Sequence, residues 1–252
     1  MSVRMRRAAA AVLTASALCL TAACGGGGDE EKKPAAAEKA AEKAGEKSSA
    51  PAEDKPASTE PLTAAQLKAA TLVAADLGGD WKTAATPAAD ESAPKADKPE
   101  CQPIADLMTD VPAGASGKGG EAEFEKGAKA DSALSQRAFT FEGTGAADLT
   151  SKLGAALDAC PKLTFTDDGE KVEMVVQKLP AAPKTAEESH AFLMEMPIPS
   201  LDVSIKVHLL VARQGTGITR AAYIPGEDPA AAKAFDELVP KIGDKLVKAV
   251  QG

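Results

Sequence analysis

Leu201-Asp-Val-Ser-Ile-Lys-Val-His-Leu-Leu-Val-Ala-Arg213 alternates in side-chain character with a period of two. Leu201, Val203, Ile205, Val207, Leu209 and Val211 fall on one face of an extended chain. Asp202, Ser204, Lys206 and His208 fall on the other. The pattern predicts a strand with one buried and one polar face, as antiparallel sheets use. Gln214-Gly-Thr-Gly217 supplies a turn, and Ile218–Ile224 predicts the strand that pairs back.

Working outward, weaker period-two segments predict strands at Glu121–Ala128, Ala133–Glu142, Lys162–Thr166, Glu170–Leu179 and Ser189–Met196. Helical spacing predicts Thr63–Ala75, a short helix from Cys101 to Met108, and Gly145–Ala159 with Leu149, Leu153 and Leu157 on one stripe. Ala231–Val250 closes the chain with Phe235, Leu238, Ile242, Leu246 and Val250 in line, and Pro240 is expected to kink or break it. Residues 84–99 and Pro112–Gly120 read as loops. Trp81, the single tryptophan, reads as a core plug ahead of a ligand platform. These elements predict an α+β domain over 61–252: a twisted, mainly antiparallel sheet with helices packed on one side, and one disulfide.

The start of the chain has a different character. Arg4, Arg6 and Arg7 precede an apolar run from Ala8 to Leu20, and Leu20-Thr-Ala-Ala-Cys-Gly25 follows. A basic start, a short apolar run and small residues form a secretory signal. The run is shorter than the ~20 residues that span a bilayer. The cysteine directly after Ala23 resembles the lipobox of bacterial lipoproteins. That resemblance implies a signal peptide over 1–23, cleavage after Ala23, and a diacylglyceryl thioether on Cys24, which would hold the protein on the outer face of the cell membrane. The commonest lipobox has Leu three residues before the cysteine; here Thr21 stands there and Leu20 one place further back. A plain secretory signal is the alternative.

Residues 24–60 read as the lipidated cysteine and a linker. Four glycines lead into a segment of Asp, Glu, Lys, Ala and Pro with almost no large apolar side chain, too little to offset the entropy of ordering.

The formal charge of the whole chain is −8. Residues 1–23 carry three arginines and no acids, so their removal takes it to −11. Such an acidic surface argues against nucleic acid, whose phosphates require clustered Lys and Arg. Membrane contact is then expected through the N-terminal lipid. Aromatic residues are 3% of the chain, few for stacking platforms, and the absence of Asn excludes N-glycosylation.

After signal removal and lipidation, Cys101 and Cys160 are the thiols that remain, and an exported domain sits in an oxidising compartment. A disulfide between them is the expected pairing. A catalytic cysteine or a metal site are the alternatives, with no CxxC partner or clustered His beside either residue.

Three segments carry a family resemblance: the short helix opening at Cys101, the helix-to-strand junction Asp158-Ala-Cys-Pro-Lys-Leu-Thr-Phe165, and Leu72-Val-Ala-Ala-Asp-Leu-Gly-Gly-Asp-Trp81. Together they look like the extracytoplasmic sensor-like domains of actinobacterial lipoproteins, a type also carried outside the membrane by PknH-class receptor kinases. The resemblance covers most of 61–252. It implies an antiparallel sheet, helices, disulfides and recognition of a cell-envelope ligand. Kinase-type relatives often have a second disulfide, for which this chain has no cysteines, and no kinase domain is present.

The search for chemistry leaves little. His190 and His208 are the two histidines and fall on different strand segments. No Gly-x-Ser-x-Gly elbow exists, Gly114–Gly120 lacks Walker spacing, and Asp167-Asp-Gly169 lacks the further ligands of a calcium loop. No cofactor, metal or catalytic residue is expected, though dispersed carboxylates leave a hydrolase open. The reading is a non-catalytic module that binds or senses an envelope component or a partner protein. The alternative is a carrier of a small apolar molecule or lipid, in a sheet–helix cavity lined by Phe192, Met194 and Met196.

Overall fold

Gln136 lies on the central part of the sheet and organises the first turn of the domain. The computed structural model describes residues 59–87, 94–127, 132–167, 169–180, 186–198, 203–226 and 231–252. Ala23, Cys24, nearly all of the linker, Leu201 and Asp202 lie outside the described residues.

The helix expected over Thr63–Ala75 is two helices, α1 (Ala64–Ala69) and α2 (Ala74–Leu77). Thr63 and Gln66 form a capping box that starts α1. The break after it is held by Gln136: its Nε2 donates to Ala70 O at 3.1 Å, and its Oε1 accepts from Leu72 N at 2.8 Å. Two backbone groups that a continuous helix would pair internally are thus satisfied from the sheet.

Strands β1 (Trp81–Thr83) and β2 (Lys95–Ala96) follow, both inside or beside the expected loop 84–99. Next come α3 (Gln102–Ala105), flanked by single 3-10 turns at Pro99–Cys101 and Asp106–Met108, and then β3 (Gly117–Lys126) and β4 (Ser132–Thr140). The remainder is α4 (Gly145–Ala159), β5 (Lys162–Asp167), β6 (Glu170–Lys178), β7 (Glu188–Ile198), β8 (Val203–Gln214), β9 (Gly217–Ile224) and α5 (Ala231–Gln251). β3 takes in the last four residues of the loop expected over Pro112–Gly120. α5 continues through Pro240 without a break.

Among the described residues the nine strands form one sheet in the order β1-β3-β4-β9-β8-β7-β6-β5-β2, with every pairing antiparallel. The α+β class, the antiparallel sheet and the disulfide agree with the sequence reading. α3 and α4 cover one side of the sheet as that reading places helices. A second helical layer of α1, α2 and α5 covers the opposite side, which the sequence reading leaves open. Register proves the division: Leu209, Val211, Phe139 and Ile218 pack with α3 and α4, whereas their strand neighbours Leu210, Ala212, Ala138 and Ala221 pack with α1 and α5.

The cause is visible in β8. Its alternation ends at Val207, and His208–Ala212 is a continuous run buried on both faces. His208, placed on the polar face by the alternation, is only 7% exposed. Its ring packs 5.1 Å from Phe235 of α5 and 6.1 Å from Tyr223. Trp81 packs half-buried 6.3 Å from Tyr223, in keeping with the core-plug reading.

Candidate functional site

Cys101 precedes α3 and Cys160 ends α4, and their disulfide joins the two helices with Cα atoms 5.9 Å apart. Both cysteines are buried. Beside this tie, α3, residues 112–114 and the first half of α4 enclose a cleft of about 290 Å³. Its floor is apolar, from Leu107, Phe141 and Leu149. Its rim carries Asp106, Asp148 and Lys152. Gln102 Nε2 donates to Asp106 Oδ1 at 2.7 Å and Thr144 Oγ1 donates to Asp148 Oδ2 at 3.2 Å. Lys152 has no ion-pair partner among the described residues.

Two polar clusters hold the walls. On one side Arg220 Nη1 donates to the backbone oxygens of Leu107 and, at 2.7 Å, Thr109. Its guanidinium lies 5.5 Å from the Phe139 ring centre. Burial pushes the Arg220 pKa down to about 10, with the nearby Arg137 charge adding to the shift. Asp110, next along the wall, is held by Lys118 and by Arg137, whose Nε lies 2.9 Å from its Oδ1. That second contact is electrostatic, because the Nε–H is not aimed at the oxygen. The Lys118 hydrogen bond keeps the Asp110 carboxyl below its ordinary pKa, and burial raises that of neighbouring Glu123.

On the other side α4 is latched to the sheet. Thr150 Oγ1 donates to Glu188 Oε2 at 2.6 Å, Arg213 Nε donates to the same oxygen at 3.3 Å, and His190 Nε2 lies 3.2 Å from Glu188 Oε1. Burial works against the Glu188 charge, but these bonds outweigh it and hold its pKa low. Gly154 makes room for the latch: a Cβ there would stand 2.9 Å from His190 Cε1.

The sheet separates the two histidines. His190 lies opposite Val211 on the α4 side, and His208 opposite Leu193 on the α5 side. Among the described residues no three His, Cys, Asp or Glu side chains converge as a metal site would require. No described helix is long and apolar enough to cross a membrane.

Phe192 and Met194 are 0% and 4% exposed and fill the core, with Met196 packed at its edge. They do not line the α3–α4 cleft. The cleft residues Asp106, Leu107, Asp148 and Lys152 have no mark in the sequence beyond helical spacing. They meet where the Cys101–Cys160 bond ties α3 to α4 and Arg220 holds the Leu107 and Thr109 backbone.

A floor of aliphatic and aromatic carbon under a rim of two carboxylates and an ammonium can hold a small molecule with an apolar body and polar substituents. No protein-family model matches the chain, and no curated protein matches it. Among solved structures, the chain is similar to the extracellular domain of PknH from Mycobacterium tuberculosis, at 12% identity and a TM-score of 0.49, over 77% of this chain and 99% of that one. It is also similar to an uncharacterised protein from Mycobacterium smegmatis, an Rv0999 ortholog, at 14% identity and a TM-score of 0.38, over 77% of this chain and 100% of that one.

Proposed function

We propose that this protein is a lipoprotein anchored by Cys24 to the outer face of the cell membrane, and that its folded unit is a non-catalytic module that binds or senses a component of the cell envelope. The signal-like start of the chain supports export, and the small residues before Cys24 support lipidation. The buried Cys101–Cys160 bond supports an oxidising, extracytoplasmic location.

The observation that carries the binding reading is the α3–α4 cleft. Its walls are fixed by a covalent bond, by Arg220 and by the Glu188 latch, so the site is formed before a ligand arrives. The carrier alternative loses its proposed lining, since Phe192 and Met194 serve as core.

Native mass spectrometry of the protein extracted from its own envelope tests the binding reading. A reproducible adduct, lost when Leu149→Trp fills the cleft, is the expected result. An adduct that survives Leu149→Trp, or none in repeated extractions, sinks the cleft as the site. The anchor has a separate test: Cys24→Ser should abolish fatty-acid labelling and release protein to the medium, and retained labelling would refute lipidation there.

A further inference from the structure

β3 has a margin that the sheet leaves open. β1 pairs only with Phe124–Lys126, and Ala84 N adds one hydrogen bond to Glu123 O at 2.8 Å. Beyond that point Gly119–Phe124 borders an open groove of about 570 Å³. Leu72, Val73 and Ala74 form one wall, and Thr83, Ala84 and Thr86 the other.

The backbone directions follow from the one bond. Glu123 O accepts from Ala84, so the Glu123 peptide groups face away from β4. Glu121 is two residues away in regular pairing and shares that direction. No described residue pairs with Glu121 on the outer side. Its N–H and C=O therefore face the groove without a strand partner among the described residues, an edge of the kind that folded proteins ordinarily block.

The side chains set the charge. Glu121 and Glu123 lie opposite Arg137 and Ser135 and turn to the α4 side, where Lys118 and Arg137 hold them. The groove thus sees their backbone and not their carboxylates. The charged side chain left to it is Lys68, which has no ion-pair partner among the described residues. Val73 stands 53% exposed on the wall.

We propose that this groove docks an extended peptide segment of a partner protein by strand addition to β3, with an acidic side chain of the peptide against Lys68. Main-chain hydrogen bonds to Glu121 would supply affinity, the Val73 wall would take an apolar side chain, and Lys68 would select for acid. The site is independent of the α3–α4 cleft, because α1 and α3 lie on opposite faces of the sheet.

A phage-displayed library of random heptapeptides, selected against the intact protein in mild detergent, tests this. Selected peptides should alternate apolar residues and carry Asp or Glu. Binding of the synthetic consensus peptide should weaken about tenfold or more in both Lys68→Glu and Val73→Asp. Both positions are exposed, so unchanged thermal melting of the variants controls for folding. Amide exchange at Glu121 should slow on peptide addition. No enriched peptide, binding indifferent to both substitutions, or slowed exchange elsewhere overturns the proposal. Self-association of the protein lost in the same two variants would assign the edge to a second copy and overturn it equally.

Discussion

Gln136 Oε1 accepts the backbone N–H of Leu72 at 2.8 Å, across 64 residues of chain. The same side chain donates to Ala70 O and to Thr219 Oγ1 at 2.9 Å, and it is fully buried. Gln136→Met keeps the shape and removes every bond, leaving a buried N–H and carbonyl without partners. The expected cost is about 3 kcal/mol, read as a lower urea midpoint at unchanged slope. A loss below experimental error would show that Gln136 does not hold the α1–α2 break.

Gly120 tests the packing of α1 on β3. Its φ is +137°, and a Cβ would stand 2.5 Å from Leu67 O and 2.7 Å from Thr71 Cγ2. Gly120→Ala therefore combines a backbone penalty with a clash against backbone, and should cost about 3 kcal/mol. Gly114 also has a positive φ, +83°, but open space around its missing Cβ. Gly114→Ala should cost about 1 kcal/mol, so equal melting of the two variants would remove the clash from the explanation.

The Cys101–Cys160 bond closes a loop with a sequence separation of 59. The chain-entropy account assigns about 4 kcal/mol to such a closure. Reduction of the folded protein, or Cys101→Ser with Cys160→Ser, should lower the melting temperature and weaken any ligand held between α3 and α4. Full stability after verified reduction would contradict this.

His208 predicts a pH dependence. Burial holds its pKa below the ordinary histidine value, with Asp236 opposing the shift and Lys206 adding to it. The unfolded chain therefore takes up the proton first. The contribution is fully present above the unfolded pKa of ~6.5 and falls as pH drops through it, at no more than ~1.4 kcal/mol per pH unit for one proton. Denaturation at pH 7.5 and pH 5.5 should show the loss, and His208→Phe, which keeps the ring contact with Phe235, should reduce it. An identical slope in the variant would assign the dependence to other groups.

Much of the scaffold was legible from local pattern. The β8 alternation, the α4 leucine stripe and the α5 stripe each report which side of one element is apolar, and all three elements are present. The α1–α2 break was not legible, because the Gln136 bonds that stabilise it come from a strand 64 and 66 residues away. The β3 start was hidden by Gly119 and Gly120, which have no side chain to show a period but let α1 approach closely.

By itself the sequence determined an antiparallel α+β unit and the two cysteines available for its disulfide, since each depends on residue type and spacing along the chain. The tertiary structure decided that helices cover both sheet faces, that His208 is buried, and that Asp106, Leu107, Asp148 and Lys152 share one cleft while Phe192 and Met194 fill the core. The reason is that periodicity identifies an apolar face but not what covers it. The run His208–Ala212 is compatible with one covered face or two, and only the crossing of α4 and α5 over the same strand selects between them.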